Sequence, residues 1–257
     1  MQIVVPMAGL GKRFADAGYT LPKPLIRVGG VPMIVQVIRD LPAAERIVCV
    51  CHPDHIRDYA IDVLLQNEIP GCRIVVTPGL TEGQACTVLL AEPEIDPDQP
   101  VLVCACDNTH IYDAVAFAER CSGADSLIWS YRGEPRVLIK PQWYGWVVAD
   151  ANGKVERVSV KRPISTDTIN DPVVSGTFWF RRAGTMFDSI RQLVASNERV
   201  NGEFYLDAVP GLLAAAGRDV RLFEVEKYIG WGTPDDVEDY LRLYRYIAER
   251  AGAGSRV

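Results

Sequence analysis

The sequence predicts an α/β protein: a mixed, mostly parallel sheet flanked by helices, with a β-rich lobe in the second half. Three observations lead there. Short apolar runs alternate with helical patterns through the first hundred residues, and strand-helix alternation implies parallel strands. Apolar runs then follow one another with few helical patterns between them until residue 180. With 257 residues, 48% of them hydrophobic and 23% charged, the chain can bury one large core, or a core with an appended lobe.

In chain order, strands are expected at Ile3 to Pro6, Ile47 to Cys51, Ile74 to Thr77 and Val101 to Ala105. Helices are expected between them, at Met33 to Leu41, Asp54 to Asn67 and Gly83 to Glu92. Ile56, Ala60, Val63 and Leu64 recur at helical spacing, which puts one face of that segment on a sheet. The second half reads as strands at Ser126 to Tyr131, Val137 to Ile139, Trp143 to Ala149, Val155 to Val160 and Val173 to Phe180. Helical patterns return at Arg182 to Ser196 and Glu203 to Ala216. A last helix starts with Thr233 as N-cap and Pro234 at its first position. No repeat or long linker divides the chain, so one domain is expected over 1–257, in two halves (1–110 and 111–257).

The first strand turns directly into Ala8-Gly9-Leu10-Gly11-Lys12-Arg13-Phe14. Glycines let backbone N–H groups approach phosphate oxygens, so this loop reads as a phosphate cradle. Two other glycine motifs are excluded. A dinucleotide fingerprint needs a third glycine where Phe14 stands, and a Walker loop needs Ser or Thr where Gly11-Lys12 is followed by Arg13. A plain tight turn would explain the glycines alone. Arg13, and Lys23 held between Pro22 and Pro24, add fixed positive charge. The prolines stiffen the backbone that aims the Lys23 ammonium.

Asp107 ends the run Val101 to Cys106 and precedes Asn108, which places a carboxylate beyond a strand's C-terminal end, where ligands sit in open α/β sheets. Magnesium often takes one or two carboxylates plus phosphates and water, so Asp107 is a candidate metal ligand. A cap on the segment starting at His110 or Ile111 is the structural alternative.

The formal charge of -6 argues against a general nucleic-acid binder. Cys49, Cys51, Cys104 and Cys106 alternate inside apolar runs and read as small core residues, and only three His are available for a metal cluster. The N-terminus lacks a basic region, and no apolar stretch reaches membrane-spanning length. No membrane association is expected, and a reducing cytoplasm fits the cysteines.

The segments PMAGLGKRF, LPKPLI and Gly30-Val31-Pro32-Met33-Ile34 together resemble the sugar-phosphate nucleotidyltransferases (NDP-sugar pyrophosphorylases), nearest to members found with capsule and surface-polysaccharide genes. The likeness continues through TEGQACTVLLAEPEI, VLVCACDN, VSVKRPIS, NGEFYLDAV and GTPDDVEDYL, nearly the whole chain in the family's order. It implies a Rossmann-like, glycosyltransferase-A-like fold with a nucleotide-binding half (1–110) and an acceptor-binding half (111–257). It also implies catalytic roles for Arg13 and Lys23, nucleotide binding by Ala8, Gly9, Gly11, Gly83 and Gln84, and Mg2+ on Asp107. Asn108, Gly145, Lys161 and Glu203 fall to the acceptor, with Gly145 beside the sugar ring and Lys161 at its phosphate. The Glu203 position is also explained by a glutamate in the first turn of a helix.

Two departures stand out. Gly230 occupies the place of a second metal carboxylate, for which Glu226 or Asp235 are candidate substitutes, and Val160 occupies the place of a glutamate that contacts sugar hydroxyls. The implied partners are an NTP and a phosphorylated small-molecule acceptor, joined with loss of pyrophosphate; homo-oligomerisation is left open. Three other readings stand beside a sugar 1-phosphate acceptor: a non-sugar phosphate or phosphonate acceptor, glycosyl transfer, and a regulator that binds nucleotide without turnover.

Overall fold

A computed structural model describes residues 1–253. The first half runs β1 (Gln2–Met7), α1 (Lys12–Asp16), β2 (Arg27–Val28), β3 (Val31–Pro32), α2 (Met33–Asp40), β4 (Arg46–Cys51), α3 (Pro53–Tyr59), α4 (Ile61–Glu68), β5 (Arg73–Val76), α5 (Gln84–Leu89), β6 (Val101–Cys104) and β7 (Asn108–Ile111). The second runs α6 (Ala114–Cys121), β8 (Ser126–Tyr131), β9 (Gly145–Ala149), β10 (Val155–Val160), β11 (Val173–Phe180), α7 (Ala183–Ser196), α8 (Ala208–Ala215), β12 (Val220–Glu224), β13 (Lys227–Gly230) and α9 (Pro234–Ala253).

One sheet passes through both halves in the order β10-β9-β11-β6-β1-β4-β5, with β8 on β11 and β12 on β8. From β6 to β5 the pairing is parallel, and β11 joins antiparallel to β6. Every residue of β1 is buried, as expected for a strand covered on both faces. Side chains alternate between faces: Ile3, Val5 and Met7 enter one apolar cluster with Phe14 and Ile34, while Val4 enters the other with Val88, Phe178 and Phe187.

Three expected elements differ. The segment expected as a strand at Val137 to Ile139 is a 3-10 turn over Pro135–Leu138, with Pro135 in its first turn; only Val137 is buried, and Ile139 is 74% exposed. The helix expected over Asp54 to Asn67 breaks at Ala60 (φ 48°), which caps both α3 and α4. That left-handed alanine costs about 1–2 kcal/mol; it turns the chain so that Ile61 and Leu65 are fully buried. Glu203 does not open a helix: it bridges Val200 across a turn at Asn201 and Gly202, and α8 starts at Ala208.

The last helix begins as its sequence reads. Thr233 Oγ1 accepts from the Asp236 N–H at 3.2 Å, and Asp236 Oδ2 accepts from the Thr233 N–H at 2.8 Å. This reciprocal cap fixes the entry of α9 beside Asp107.

Candidate functional site

Two adjoining pockets open beyond the C-terminal ends of β1 and β6. The smaller, of about 210 Å³, is lined by Ala8, Gly9, Gly11, Lys23, Gly83, Gln84 and Glu203. The larger, of about 760 Å³, is lined by Arg13, Asp107, Asn108, Gly145 and Lys161, and it shares Gln84 with the smaller. Every residue assigned to the nucleotide side by sequence therefore meets in one cavity. Three of the four acceptor-side residues meet in the other. Glu203, expected with the acceptor, instead lines the glycine-rich pocket.

The small pocket depends on two glycines in backbone conformations unfavourable to other residues. Gly11 (φ 60°) precedes α1. Gly83 (φ 127°) packs so tightly on the NGEFYLD segment that a Cβ would lie 2.6 Å from the Phe204 carbonyl oxygen. Phe204 N–H donates to Glu82 O at 2.8 Å and Ala85 N–H to Phe204 O at 3.1 Å, so that contact is pinned on both sides.

Between the pockets, Lys23 Nζ donates to Asp107 Oδ2 at 2.7 Å, each side chain about one-fifth exposed. Burial opposes charge on both groups, and their mutual attraction more than offsets it. The lysine is held above its ordinary value and the carboxyl below its own. Asp107 is in the strand-end segment just before β7, not a helix cap. Asn108 Nδ2 donates to Ser175 O at 3.0 Å, while its Oδ1 is buried without a partner beside the large pocket.

Gly230 pairs with Asn108 across β13 and β7. A Cβ at residue 230 would lie 2.7 Å from the Tyr228 ring, which is stacked on Tyr131 at 4.1 Å. The phenol thus fills the space of the missing carboxylate, and burial followed by the Asp107 charge raises its pKa well above that of ordinary tyrosine. Neither Glu226 nor Asp235 lines the pocket; Asp236 does, but it is paired with Arg136. Among the described residues no group of three or more His, Cys, Asp or Glu could hold a metal. The donor set fits an ion carried by one carboxylate with phosphate and water oxygens, not a site enclosed by protein.

Lys161 adopts φ 58°, a strained backbone position of the kind concentrated at functional sites. Its ammonium donates to the Trp143 carbonyl and lies 5.0 Å from the Tyr205 ring. Burial lowers its pKa, only partly opposed by Asp207. The Trp143 ring in turn receives Arg13 at 4.4 Å and Lys140 at 4.1 Å. Asp207 is buried and its carboxyl is pushed up by desolvation, with Lys161 drawing it back. Trp143, Asp207 and Tyr228 were missed by the sequence reading. Only Asp207 carried a signal, an acid inside the NGEFYLDAV block.

The model of the family described as MobA-like NTP transferase domain matches residues 3–200. Among curated proteins, the bifunctional protein GlmU of Pelotomaculum thermopropionicum is 25% identical over 255 residues, covering 96% of this chain and 52% of that protein. GlmU of Burkholderia ambifaria is 31% identical over 229 residues, covering 86% and 46%. The chain thus spans about half the length of these relatives. Among solved structures, a nucleoside-diphosphate-sugar pyrophosphorylase from Vibrio cholerae RC9 superposes with TM-score 0.76 at 23% identity, covering 93% of this chain and 99% of that one. An inositol-1-phosphate CTP transferase from T. maritima superposes with TM-score 0.69 at 17% identity, covering 96% and 94%. These two likenesses establish the mixed α/β fold. Among the described residues no helix is long and apolar enough to cross a membrane.

Proposed function

We propose that this chain, which belongs to the MobA-like NTP transferase domain family, transfers a nucleotidyl group from an NTP to the phosphate of a small acceptor, a sugar 1-phosphate or a similar phosphate. The observation that carries this reading is the convergence of three cations, Arg13, Lys23 and Lys161, on the border of a glycine-lined pocket and a larger aromatic one. Two phosphoanions repel each other, and such a border offsets that repulsion where they must meet.

The NTP lies on the loop from Ala8 to Arg13, with its base toward Gly83 and Gln84. An acceptor phosphate oxygen attacks the α-phosphorus in line; the new O–P bond forms as the bond to the β-phosphate oxygen breaks, and pyrophosphate leaves with that electron pair. The acceptor phosphate is already anionic at neutral pH, so no general base is needed. Lys161 holds the acceptor phosphate, and Arg13 meets the charge that develops between the substrates. Lys23 steadies Asp107, whose carboxylate would hold Mg2+. The ion supplies charge neutralisation on phosphate oxygens. The division of labour follows the chain: residues 1–110 for the nucleotide and 111–257 for the acceptor, with Asn108 crossing to the acceptor side and Glu203 to the nucleotide side.

The inositol-1-phosphate CTP transferase likeness, together with Val160 in place of a sugar-contacting glutamate, supports carrying a non-sugar phosphate as the second acceptor class. Pyrophosphate release measured with each of ATP, CTP, GTP, UTP and dTTP against sugar 1-phosphates, polyol phosphates and phosphonates, with Mg2+ and then with chelator, tests the reading. Chelator-sensitive release with one pair supports it. Nucleotide binding without release across the panel would favour a non-catalytic binder.

A further inference from the structure

Five acidic side chains line the large pocket, and four of them find a cation within the chain. Asp107 holds Lys23, Glu134 faces Lys227 at 4.0 Å, and Asp236 and Asp239 share Arg136. Asp207 is the exception among the described residues: it is only 8% exposed, yet no other residue donates a hydrogen bond to it and no ion pair closes on it. Its position makes this more pointed. Asp207 is the N-cap residue of α8, where an aspartate normally accepts from the first-turn N–H groups, but its side chain makes no capping hydrogen bond.

The carboxylate is turned instead toward Gly145. A Cβ at residue 145 would run into Asp207 Oδ2 and press on Val174 at 3.1 Å. The missing side chain at Gly145 therefore makes room for the acid at the pocket wall, beside Lys161. A buried carboxylate whose one donor is its own backbone N–H is costly, and a ligand that brings a further donor relieves that cost.

On the nucleotidyl-transfer reading, we infer that Asp207 reads the acceptor: it accepts a hydrogen bond from a hydroxyl or ammonium group of the molecule lying over Gly145, whose phosphate is held by Lys161. Acceptors without such a donor leave the carboxylate unpaired beneath them. A site of this kind discriminates far more strongly than an apolar pocket does.

The test uses matched acceptors in the pyrophosphate-release assay: inositol 1-phosphate against cyclohexyl phosphate, and 2-aminoethyl phosphate against ethyl phosphate. In the wild type the donor-bearing member of at least one pair is expected to exceed its bare counterpart by roughly 100-fold or more in kcat/KM. Asp207→Leu should shrink that gap to a few-fold by raising acceptor KM while leaving NTP KM unchanged. Asp207→Asn, which keeps the volume and one acceptor oxygen, should retain part of a hydroxyl gap and little of an ammonium gap. The pair that responds identifies the donor. A gap that survives Asp207→Leu, or NTP and acceptor KM rising together, overturns the inference. Silence of the wild type in release would count against nucleotidyl transfer alone; calorimetric binding of the same four probes would then decide Asp207, and absence of any donor preference in binding would overturn it.

Discussion

The guanidinium of Arg13, at the start of the chain, lies 4.4 Å from the ring centroid of Trp143, a residue from the second half. The same Trp143 accepts the Lys161 ammonium on its backbone carbonyl. One residue thus holds the proposed catalytic Arg13 through its ring and the acceptor-side Lys161 through its main chain, which makes Trp143 a positioning residue.

Removal of the ring should release Arg13 without touching Lys161. Trp143→Leu is expected to cost roughly 1–2 kcal/mol of transition-state stabilisation, the scale of a partly desolvated cation–π contact. Arg13→Ala should cost roughly 3–4 kcal/mol, as loss of a preorganised donor does. The double variant should lose no more than Arg13→Ala alone, because the ring acts through the arginine. Additive losses in kcat/KM would separate Trp143 from Arg13.

Restoring the absent carboxylate is predicted to fail in the native setting. Gly230→Asp drives a Cβ to 2.7 Å from the Tyr228 ring, so overpacking should cost roughly 1–3 kcal/mol of stability, read as a lower melting temperature. Gly230→Asp with Tyr228→Ala gives the new side chain room, and its Mg2+ affinity, measured by calorimetry, should exceed that of Tyr228→Ala alone. Equal affinity would mean that residue 230 does not face the metal position.

Lys161 should set an alkaline limit on acceptor use. Burial lowers its pKa, so it loses its proton at a pH where an ordinary lysine stays charged. Acceptor kcat/KM should therefore fall on a limb lying below the usual lysine range. Lys161→Arg, which stays protonated throughout, should abolish that limb even if its absolute rate is lower. A limb unchanged in position in the arginine variant assigns it to another group.

Folding stability should decline in mild acid because of His110. Its Nε2 is buried without a partner, and desolvation depresses its pKa from 6.5 to about 3. Between those values the unfolded chain binds a proton that the folded chain refuses, so stability drops as pH falls below about 6.5 and the loss is complete near pH 3, on the order of a few kcal/mol. Asp107, whose folded pKa is lowered, loses its contribution in a more acidic window. Denaturant midpoints from pH 7 to pH 4 should show the first decline in the wild type and a flatter curve in His110→Phe. Parallel curves would contradict the assignment.

The glycine loop, PKP and Asp107 were legible because each is local: a strand ends, a turn follows, and the side chain's place is set within a few residues. Gly83 was legible as a turn, but the reason it must be glycine lies 121 residues away in the Phe204 backbone. Asp207 and Trp143 take their roles from partners at Gly145 and Arg13, separations that no spacing rule covers, and Tyr228, only two residues from Gly230, takes its role from the way its ring folds back over that glycine. The misread strand at Val137 to Ile139 has apolar residues that point largely to solvent, and Pro135 two positions earlier was the available warning of a turn. At Ala60 nothing local announces a left-handed residue; burial of Ile61 and Leu65 dictates it.

The most direct measurement follows oxygen. An acceptor whose non-bridging phosphate oxygens carry 18O, converted with unlabelled NTP, should give a product with 18O in the bridge between its two phosphorus atoms and pyrophosphate free of label, as read by 31P NMR and mass spectrometry. Label in the released phosphates, or an unlabelled bridge, would contradict attack of the acceptor phosphate on the α-phosphorus.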